Sequence, residues 1–360
     1  ISILMPNLKG GGAERVYVNL ANNWIKKGYS IEFILMKNDG EFKNLLSDKI
    51  KITNLNVTKL RNTFFPLVRY FKKNIPEIIL VAMWPLTSYS ILAWLFSGKR
   101  GKLFVSDHVH LTTAASNEIN VSKLYLKLFI KITYPFANGI ITVSNGVKKN
   151  LIEIGNLNSS KIKVIYNPIF QEIKNSPKNI SQIKLWGGNF KHKLLSVGTL
   201  KKQKDHKTLI KAISYLPKDL DVKLVILGEG ENRSKLTTLI KKLDLSDRVD
   251  LPGFTIDPEP WYNTADLFIL SSLWEGFGNV LVEAMKYGLP LISTDCNSGP
   301  SEILENGKYG VLVPISDPKI LSEAIKKSIS KKHNKLKLKE RAKYFSIEKA
   351  SKSYIDFMTQ

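Results

Sequence analysis

The stretch Glu275-Gly-Phe-Gly-Asn-Val-Leu-Val-Glu283 places two carboxylates around a glycine-bearing turn. The apolar run at residues 266–272 before it predicts a buried strand. Residues 279–287 predict a helix, which Gly288 and Pro290 would end. A buried strand that leads through a glycine turn into a helix is typical of α/β proteins, in which strands and helices alternate along the chain.

The turn before this helix combines two carboxylates with free helix amides. Helical side chains lean towards the N-terminus, so the Glu283 carboxylate can reach a ligand beside the turn while Glu275 approaches from the strand side. The amides of Gly278, Asn279 and Val280 lie at the positive end of the helix dipole, which favours a phosphate. A carboxylate one turn deeper can accept hydrogen bonds from a sugar diol, and a phosphate together with a diol describes a nucleotide sugar. The alternative is a surface carboxylate pair that flanks an ordinary strand-to-helix turn.

Glu275 and Glu283 also reproduce the E-x7-E signature of a large family, the retaining GT-B-fold glycosyltransferases called family four. Four further segments resemble that family, in its order along the chain: Gly10-Gly-Gly-Ala-Glu-Arg15, Ser196-Val-Gly-Thr-Leu200 through Lys204, Val225-Ile-Leu-Gly-Glu-Gly230, and Cys296-Asn-Ser-Gly-Pro-Ser-Glu-Ile-Leu304. The resemblance runs from about residue 2 to about residue 315 and is specific as a set.

Alternating strands and helices predict a parallel sheet in each half of the chain. The first series has strands at residues 1–5, 30–36, 78–81, 102–106 and 139–143, with helices at 13–27, 87–95, 122–134 and 146–151. The second has strands at 193–198, 222–227, 249–251, 267–270 and 289–294, with helices at 207–214, 232–243 and 279–287. The polar stretch at residues 172–182 is the predicted linker.

The predicted fold class is therefore α/β with two doubly wound lobes. The resemblance implies a GT-B fold, in which two Rossmann-like domains face each other across a cleft. Residues 1–171 would form the acceptor-binding domain and residues 183–344 the nucleotide-sugar-binding domain. Residues 345–360 would form a helix that crosses back to the first domain.

Length and composition agree with two domains. The 360 residues are 43% hydrophobic, enough for two cores of ordinary size. The single cysteine, Cys296, permits no intramolecular disulfide and no cysteine metal cluster, which disfavours a redox function and fits a reducing cytosol. The opening residues show no signal-peptide pattern, and no apolar run is long enough to span a bilayer. We therefore expect a protein that is not integral to a membrane.

The net charge of +23 indicates an acidic partner. Residues 1–170 carry 23 Lys or Arg against 9 Asp or Glu, and the remainder carry 31 against 22, so the excess lies mainly in the first half. The candidates are anionic lipid, a pyrophosphate-bearing acceptor and nucleic acid. No zinc-finger, helix-turn-helix or RNP pattern supports nucleic acid. Compositional bias towards Lys is the alternative explanation.

Two segments of the first half mix aromatic residues with lysines, at residues 62–73 and 122–135. In the second segment Lys123, Lys127 and Lys131 recur every four residues, which predicts a basic amphipathic helix. Such a helix can lie in the headgroup region of an anionic membrane. Alternatively, it packs its apolar stripe on a parallel sheet and leaves the lysines in water.

The glycine loop at Gly10–Gly12 follows a strand and precedes a helix, where a phosphate or sugar can approach bare backbone. The loop matches neither the G-x-G-x-x-G fingerprint nor the Walker motif. The sequence therefore gives little support to a binding site for a dinucleotide or a nucleoside triphosphate. The resemblance assigns Gly11 and Gly12 to the donor phosphate or sugar. A merely tight turn is the alternative.

By resemblance, Lys204 neutralises the donor diphosphate as the leaving group departs. A cation placed where negative charge develops stabilises the transition state more than the ground state. Family members commonly carry Arg where this chain has Thr199, so half of the usual phosphate clamp is missing. Lys201 or Lys202 could replace it.

His108 follows the predicted strand at residues 102–106 and matches a histidine that the family places near the reacting sugar. His110 is the less favoured neighbour, and Asp107 could orient an imidazole if it turned inward. Asp219-Leu-Asp221 imitates a metal-binding D-x-D, but it lies at the wrong end of the next strand for a ligand site. We therefore predict no metal.

The resemblance thus implies a metal-independent, retaining glycosyltransferase with UDP as the expected donor nucleotide. Glu283 would bind the ribose, and Gly276, Phe277, Gly278, Asn279 and Val280 would hold the diphosphate and sugar through their backbone. Glu275 would contact sugar hydroxyls, Lys204 the leaving phosphate, and His108 the sugar. No cofactor is expected, because the nucleotide sugar is a substrate.

By analogy with relatives, the acceptor is expected to be a lipid-linked or lipopolysaccharide glycan at the cytoplasmic face of a bacterial membrane, with the basic first domain on the anionic surface. Two rival functions stay open. An epimerase or hydrolase would convert the donor without an acceptor. A catalytically silent, membrane-associated binding subunit would have lost the phosphate clamp, as Thr199 allows.

Overall fold

The computed structural model describes residues 1–119, 121–170 and 182–360. The chain forms two compact units. Unit 1 comprises Ile1–Ile169 and Phe345–Gln360, and unit 2 comprises Phe170–Tyr344. The predicted linker at residues 172–182 lies outside the described residues, except for Gln182, which begins a helix.

Unit 1 is built on a seven-stranded parallel sheet with the strand order β3-β2-β1-β4-β5-β6-β7. The strands are β1 Ser2–Met5, β2 Glu32–Leu35, β3 Lys51–Asn54, β4 Ile78–Ala82, β5 Lys102–Asp107, β6 Gly139–Thr142 and β7 Ile162–Val164. The helices between them are α1 Gly12–Lys26, α2 Phe64–Asn74, α3 Leu86–Phe96, α4 Leu111–Ala114, α5 Lys123–Thr133 and α6 Asn145–Gly155.

Unit 2 is built on a six-stranded parallel sheet with the order β10-β9-β8-β11-β12-β13. Its strands are β8 His192–Val197, β9 Val222–Leu227, β10 Val249–Gly253, β11 Leu267–Leu270, β12 Leu291–Thr294 and β13 Val311–Val313. Its helices are α7 Gln182–Trp186, α8 His206–Ser214, α9 Arg233–Lys242, α10 Glu259–Thr264, α11 Asn279–Lys286, α12 Pro300–Ile303, α13 Pro318–Ile329 and α14 Lys335–Lys343.

The predicted fold class, α/β with two doubly wound parallel-sheet domains, is confirmed. A strand with helices on both faces of its sheet is an almost continuous apolar run. Its side chains alternate between the hydrophobic core on one face of the sheet and the core on the other face. In β1, Ile3 and Met5 pack in the hydrophobic core that also contains residues of α1. Leu4 packs in the second core of this unit, which contains residues of α2 and α3. In unit 2, α8, α9 and α13 cover one face of the sheet.

The last helix, α15 Ile347–Thr359, belongs to unit 1. Tyr354 is fully buried, and its ring centroid lies 6.0 Å from that of Trp24 on α1. The Phe357 ring makes an edge contact with Phe104 of β5 at 5.7 Å. The chain therefore leaves unit 1 after β7 and returns to it only at its end.

Among the residues that the structure describes, no helix has both the length and the apolar character needed to cross a bilayer.

Candidate functional site

An ion pair joins two loops of unit 2. Lys204 ends a short 3-10 turn after β8, and Glu275 follows β11. Since β8 and β11 are neighbours in the sheet, the loops at their carboxyl ends meet, which is where open α/β sheets bind ligands. The Lys204 Nζ lies 2.5 Å from the Glu275 Oε1. Both side chains are mostly buried, with 14% and 8% of their surface exposed.

Hydrogen bonds fix the two loops around this pair. Ser272 Oγ donates to the Glu275 Oε1 at 2.6 Å. Ser271 Oγ donates to the Lys204 carbonyl at 2.8 Å, and Gln203 Nε2 donates to the Trp274 carbonyl at 2.8 Å. The ammonium and the carboxylate are therefore held as a pre-formed unit. The sequence assigned these residues separate roles and did not predict that they pair.

Glu283 lies in α11, as predicted, and is held by a tyrosine from α10. Tyr262 OH donates to the Glu283 Oε2 at 2.9 Å. Tyr262 is 2% exposed, and its ring stacks on Tyr287 at 5.5 Å between centroids. Burial raises the pKa of Tyr262 well above its ordinary value, and the negative charge of Glu283 adds a smaller upward shift. The phenol therefore stays protonated and serves as a permanent donor.

The glycine turn before α11 is packed against the segment that precedes α12. Gly278, with φ of 101°, is the N-cap residue of α11. Gly299 has φ of 90°, and a Cβ built there would lie 2.0 Å from the Phe277 carbonyl oxygen. Only glycine fits at this position. The Phe277 side chain is buried, so this residue can meet a ligand through its backbone.

Thr199, at the position of the missing arginine, is exposed in the loop after β8. Lys201 and Lys202 line a cavity of about 790 Å³ between α8 and α9, together with Lys207, Lys211 and Lys235. Lys204 and Glu275 do not line this cavity.

In unit 1, His108 follows β5 and packs against α1. Its Nε2 lies 3.0 Å from Tyr17 OH and 3.2 Å from Ser106 Oγ. Burial lowers the pKa of the imidazole to about 3, so the ring is neutral at physiological pH. The Tyr17 ring meets the imidazole edge-on, with centroids 5.3 Å apart.

Asp107 turns away from this imidazole. Tyr134 OH donates to the Asp107 Oδ2 at 2.7 Å, and burial raises the pKa of the carboxyl to about 6. Alternate residues of a strand point to opposite faces, which puts Ser106 and His108 on one side and Asp107 on the other. His110 contacts Thr113 Oγ1 through its Nδ1 at 2.9 Å and is the N-cap residue of α4.

The glycine loop of unit 1 leads into α1, with Gly11 as N-cap and Gly12 as the first helical residue. Glu14, three residues after the cap, folds back over the loop: a Cβ built on Gly11 would lie 2.2 Å from its Oε2. Burial raises the pKa of Glu14. The loop is therefore covered by a carboxylate. A Glu in the first turn also lies at the positive end of the helix dipole, which favours its negative charge.

The D-x-D segment lies at the amino end of β9. Asp221 Oδ2 accepts from the Lys191 amide at 2.8 Å, and Val222 begins the strand. Residues 219–221 are thus at the edge of the sheet opposite to Lys204. Within the described ranges, no group of three His, Cys, Asp or Glu side chains could hold a metal ion.

Sequence reasoning missed several residues that support the site. Ser272 was detectable, since a hydroxyl directly after a buried apolar strand lies at the ligand edge of a parallel sheet. Tyr17 and Tyr262 gave no signal, because tyrosines inside helices are ordinary core residues.

Comparison with known proteins identifies the family. Residues 187–345 match the family described as Glycosyl transferases group 1, and residues 10–171 match Glycosyltransferase Family 4. The chain belongs to the GT-B-fold glycosyltransferases of family 4.

Among curated relatives, the N-acetylgalactosamine-N,N'-diacetylbacillosaminyl-diphospho-undecaprenol 4-alpha-N-acetylgalactosaminyltransferase of Campylobacter jejuni is 34% identical over 244 residues. That match covers 66% of this chain and 65% of the relative. The lipopolysaccharide 1,6-galactosyltransferase of Salmonella typhimurium is 26% identical over 320 residues, which is 84% of this chain and 81% of that protein.

Solved structures share the fold. Anabaena Alr3699/HepE, in complex with UDP and glucose, superposes with a TM-score of 0.83 at 20% identity, over 99% of this chain and 98% of that chain. The apo form of the lipopolysaccharide outer core galactosyltransferase WaaB gives a TM-score of 0.73 at 22% identity, over 100% and 99% of the two chains. The predicted GT-B fold is therefore confirmed.

Proposed function

We propose that this protein transfers a hexose or N-acetylhexosamine from a UDP-sugar to a lipid-linked or lipopolysaccharide glycan, with retention of configuration and without a metal. The observation that carries the proposal is the Lys204–Glu275 pair at the carboxyl edge of the second sheet. It supplies a fixed cation and a fixed carboxylate at the edge where this class of sheet binds ligands.

Glu283 and the turn before α11 form the proposed binding site for the nucleotide sugar donor. Tyr262 holds one oxygen of the Glu283 carboxylate, which leaves the other to accept from a ribose diol. The N-terminal end of α11 favours a phosphate beside it. The choice of UDP is supported by the complex of Anabaena Alr3699/HepE with UDP and glucose. The choice of sugar is supported by the galactosyl and N-acetylgalactosaminyl transfers for which the relatives are named.

Lys204 would balance the negative charge that develops on the leaving diphosphate, which is why we propose transfer without a metal. The bond from the anomeric carbon to the diphosphate oxygen breaks, and a bond to the acceptor oxygen forms on the same face of the sugar. The acceptor proton passes to the leaving phosphate. His108, neutral at physiological pH, would position the sugar, and Glu275 would contact its hydroxyls.

The acceptor is proposed to be a glycan on a lipid diphosphate or on a lipopolysaccharide core, in the synthesis of a bacterial surface polysaccharide. Relatives named for transfer to a diphospho-undecaprenol glycan and to lipopolysaccharide support it. Such acceptors are anchored in a membrane, so the protein would act peripherally at its cytoplasmic face.

Calorimetric titration with UDP, GDP, ADP and NAD tests the donor. We expect UDP to bind tightest, and Glu283→Ala to weaken it at least tenfold, whereas the exposed Glu340→Ala leaves it unchanged. Binding of none of the four nucleotides would overturn the proposal and favour the silent subunit that Thr199 allows.

The chemical step is tested with the donor sugar that binds best. Turnover should require a glycan acceptor, and NMR of the product should show the anomeric configuration of the donor. Conversion of the donor without an acceptor would favour the epimerase or hydrolase, and inverted product would exclude the same-face mechanism.

A further inference from the structure

The cavity between α8 and α9 in unit 2 is strongly basic. It has a volume of about 790 Å³, and its walls come from segments that follow β8, β9, β11 and β13. Its lysines are Lys201, Lys202, Lys207, Lys211 and Lys235. Two carboxylates, those of Asp205 and Glu231, stand against these five ammonium groups, which leaves an excess of three positive charges. We call this space the α8–α9 cavity.

Three lysines of the α8–α9 cavity are not neutralised by the chain. Within the described ranges, Lys207, Lys211 and Lys235 form no ion pair. The Asp205 carboxylate is engaged elsewhere, because it accepts hydrogen bonds from the Thr208 hydroxyl at 2.6 Å and from the Thr208 amide at 3.3 Å. A concave site lined by one sign of charge attracts ions of the opposite sign.

The amino ends of three helices reach the same cavity. α8 begins there after Asp205, α9 after Asn232, and α13 with Pro318. Asp205 and Asp317 cap α8 and α13 with their side chains, whereas the Asn232 side chain makes no such bond to α9. The first-turn amides of α9 and the positive end of its dipole therefore favour an anion in this space.

A buried histidine without a hydrogen-bond partner lines the cavity. His206 is 3% exposed, and its Nδ1 has no partner among the described residues. Buried polar atoms are almost always hydrogen-bonded, so this nitrogen beside a basic cavity indicates a ligand group. Burial, and to a smaller degree the charge of Lys204, lower the pKa of the imidazole to about 3. The neutral ring keeps one N–H, which can donate to a phosphate oxygen.

The spread of the lysines fits several phosphate groups better than a single one. Lys207 and Lys211 are one turn apart on α8, which separates their Cβ atoms by about 5–6 Å, and Lys235 lies on the other helix. The cavity also has an apolar wall, formed by Leu236, Leu239 and Leu273. Such a wall can hold an organic group attached to the phosphates.

We propose that the α8–α9 cavity binds an anion with two or more linked phosphate groups, at a site separate from that of the sugar donor. Glu275 and Glu283 do not line this cavity. The loop between β8 and α8 separates the two sites, since it contributes Lys201 to the cavity and Lys204 to the pair with Glu275. Because both ligands are anions beside one loop, each should weaken the binding of the other by the same factor. The proposal goes beyond the transfer reaction and does not depend on which nucleotide the donor carries.

Calorimetric titration of the full chain with tripolyphosphate tests the second site. With enough UDP present to fill the donor site, one equivalent of tripolyphosphate should still bind, only a few-fold more weakly than without UDP. Added salt should weaken the binding. ATP, titrated in the same way, identifies the source of the phosphates. Tighter binding of ATP would assign the apolar wall to an organic group, and tighter binding of tripolyphosphate would assign the site to an inorganic polyphosphate.

Lysine variants locate the bound phosphates. Lys207→Gln with Lys211→Gln and Lys235→Gln should weaken tripolyphosphate binding roughly 25-fold, about threefold for each lysine, as for ion pairs at partly exposed positions. UDP should bind this variant as it binds the control. The matched control is Lys331→Gln with Lys332→Gln and Lys339→Gln, which removes the same charge from exposed positions of unit 2 and should retain the binding.

His206 is tested in two ways. His206→Leu removes both ring nitrogens and should weaken tripolyphosphate binding roughly tenfold, as for one hydrogen bond to a charged group. Because this side chain is buried, circular dichroism must show that the variant is folded. NMR of the native chain with isotope-labelled histidine avoids the substitution. Tripolyphosphate should shift the imidazole signals of His206 and not those of His333, whose Nε2 lies 2.9 Å from the Ser328 carbonyl oxygen.

Two results would overturn the proposal. If tripolyphosphate binds the triple lysine variant as tightly as the control, its binding is general attraction to a basic chain. If UDP prevents tripolyphosphate binding completely, the phosphates occupy the donor site. A chain that binds no UDP would contradict the proposed donor, whereas the comparison of the lysine variants and the NMR experiment would still decide on the α8–α9 cavity.

Discussion

Tyr262 OH donates a hydrogen bond of 2.9 Å to the Oε2 of Glu283 and thereby fixes a carboxylate that lies one turn inside α11. Tyr262→Phe removes this bond but keeps the ring stacked on Tyr287. We expect UDP affinity to fall roughly tenfold, the usual contribution of a hydrogen bond to a charged group.

Titration with UDP and with 2′,3′-dideoxy-UDP measures this effect. The native protein should bind UDP much more tightly than the dideoxy analogue. Tyr262→Phe should lose much of that preference, because Tyr262 orients the Glu283 carboxylate that is proposed to bind the ribose diol. Tyr215→Phe, at an exposed position, is the control. An equal loss of affinity for both ligands would instead indicate general loosening of the site.

Lys204→Met should destabilise unit 2 by about 3–5 kcal/mol, because it leaves the Glu275 carboxylate buried without its cation. Chemical denaturation measures the change. The double variant with Glu275→Gln should recover most of the stability, since the buried charge is then gone, yet transfer activity should stay lost. If activity returned together with stability, the role of Lys204 would be structural only. Lys218→Met, at an exposed position of the same unit, is the control.

Gly299→Ala should lower transfer activity at least 100-fold by displacing the turn before α11, because its Cβ would press on the Phe277 carbonyl. Gly307→Ala is a suitable control. Its φ of 99° imposes the same backbone strain, but the nearest atom to its Cβ lies at 3.7 Å. Comparable activity losses in both variants would assign the effect to strain rather than to the displaced turn.

His108 makes unit 1 sensitive to acid. Its pKa is about 3 in the folded protein and about 6.5 when unfolded, so below pH 6.5 the unfolded chain binds the extra proton. The stability that its neutral form provides is present above pH 6.5 and is lost as the pH falls towards 3, by about 2 kcal/mol at pH 5.

Hydrogen exchange of the β5 amides at pH 5 and pH 7.5 tests this linkage, after correction for intrinsic rates. His108→Gln should reduce the difference in protection between the two pH values, and His333→Gln in unit 2 should not. Asp107 acts in the opposite direction, because its raised pKa of about 6 favours the folded state as the pH falls below 6. It is present in both variants and therefore cancels in the comparison.

The central strands and helices could be predicted because they are apolar and regular. Residues 267–270 predict β11 to the residue, and α11 differs from its prediction by one residue. The sequence did not reveal β3, β7 and β13, which lie at sheet edges, are three or four residues long, and are partly exposed. A half-solvated edge strand has no continuous apolar run.

The site was predictable in its parts but not in its pairings. The spacing of Glu275 and Glu283, with the resemblance, identified the acidic residues. That Lys204 pairs with Glu275, and Tyr262 with Glu283, depends on segments 71 and 21 residues apart in sequence, which the fold alone brings together. The sequence of α5 was also ambiguous. It contains two apolar rows, Leu126 with Ile130 and Leu124 with Leu128, and periodicity alone does not show which row faces the core.

The return of α15 to unit 1 has a consequence for biosynthesis. During translation, residues 170–344 emerge before α15, the helix that completes the first unit, so Trp24 cannot pack on Tyr354 until unit 2 has been synthesised. Domains generally fold as units, in the order in which they leave the ribosome. We therefore expect unit 2 to reach its native state first, and the nascent N-terminal unit to keep an apolar face open until α15 has emerged.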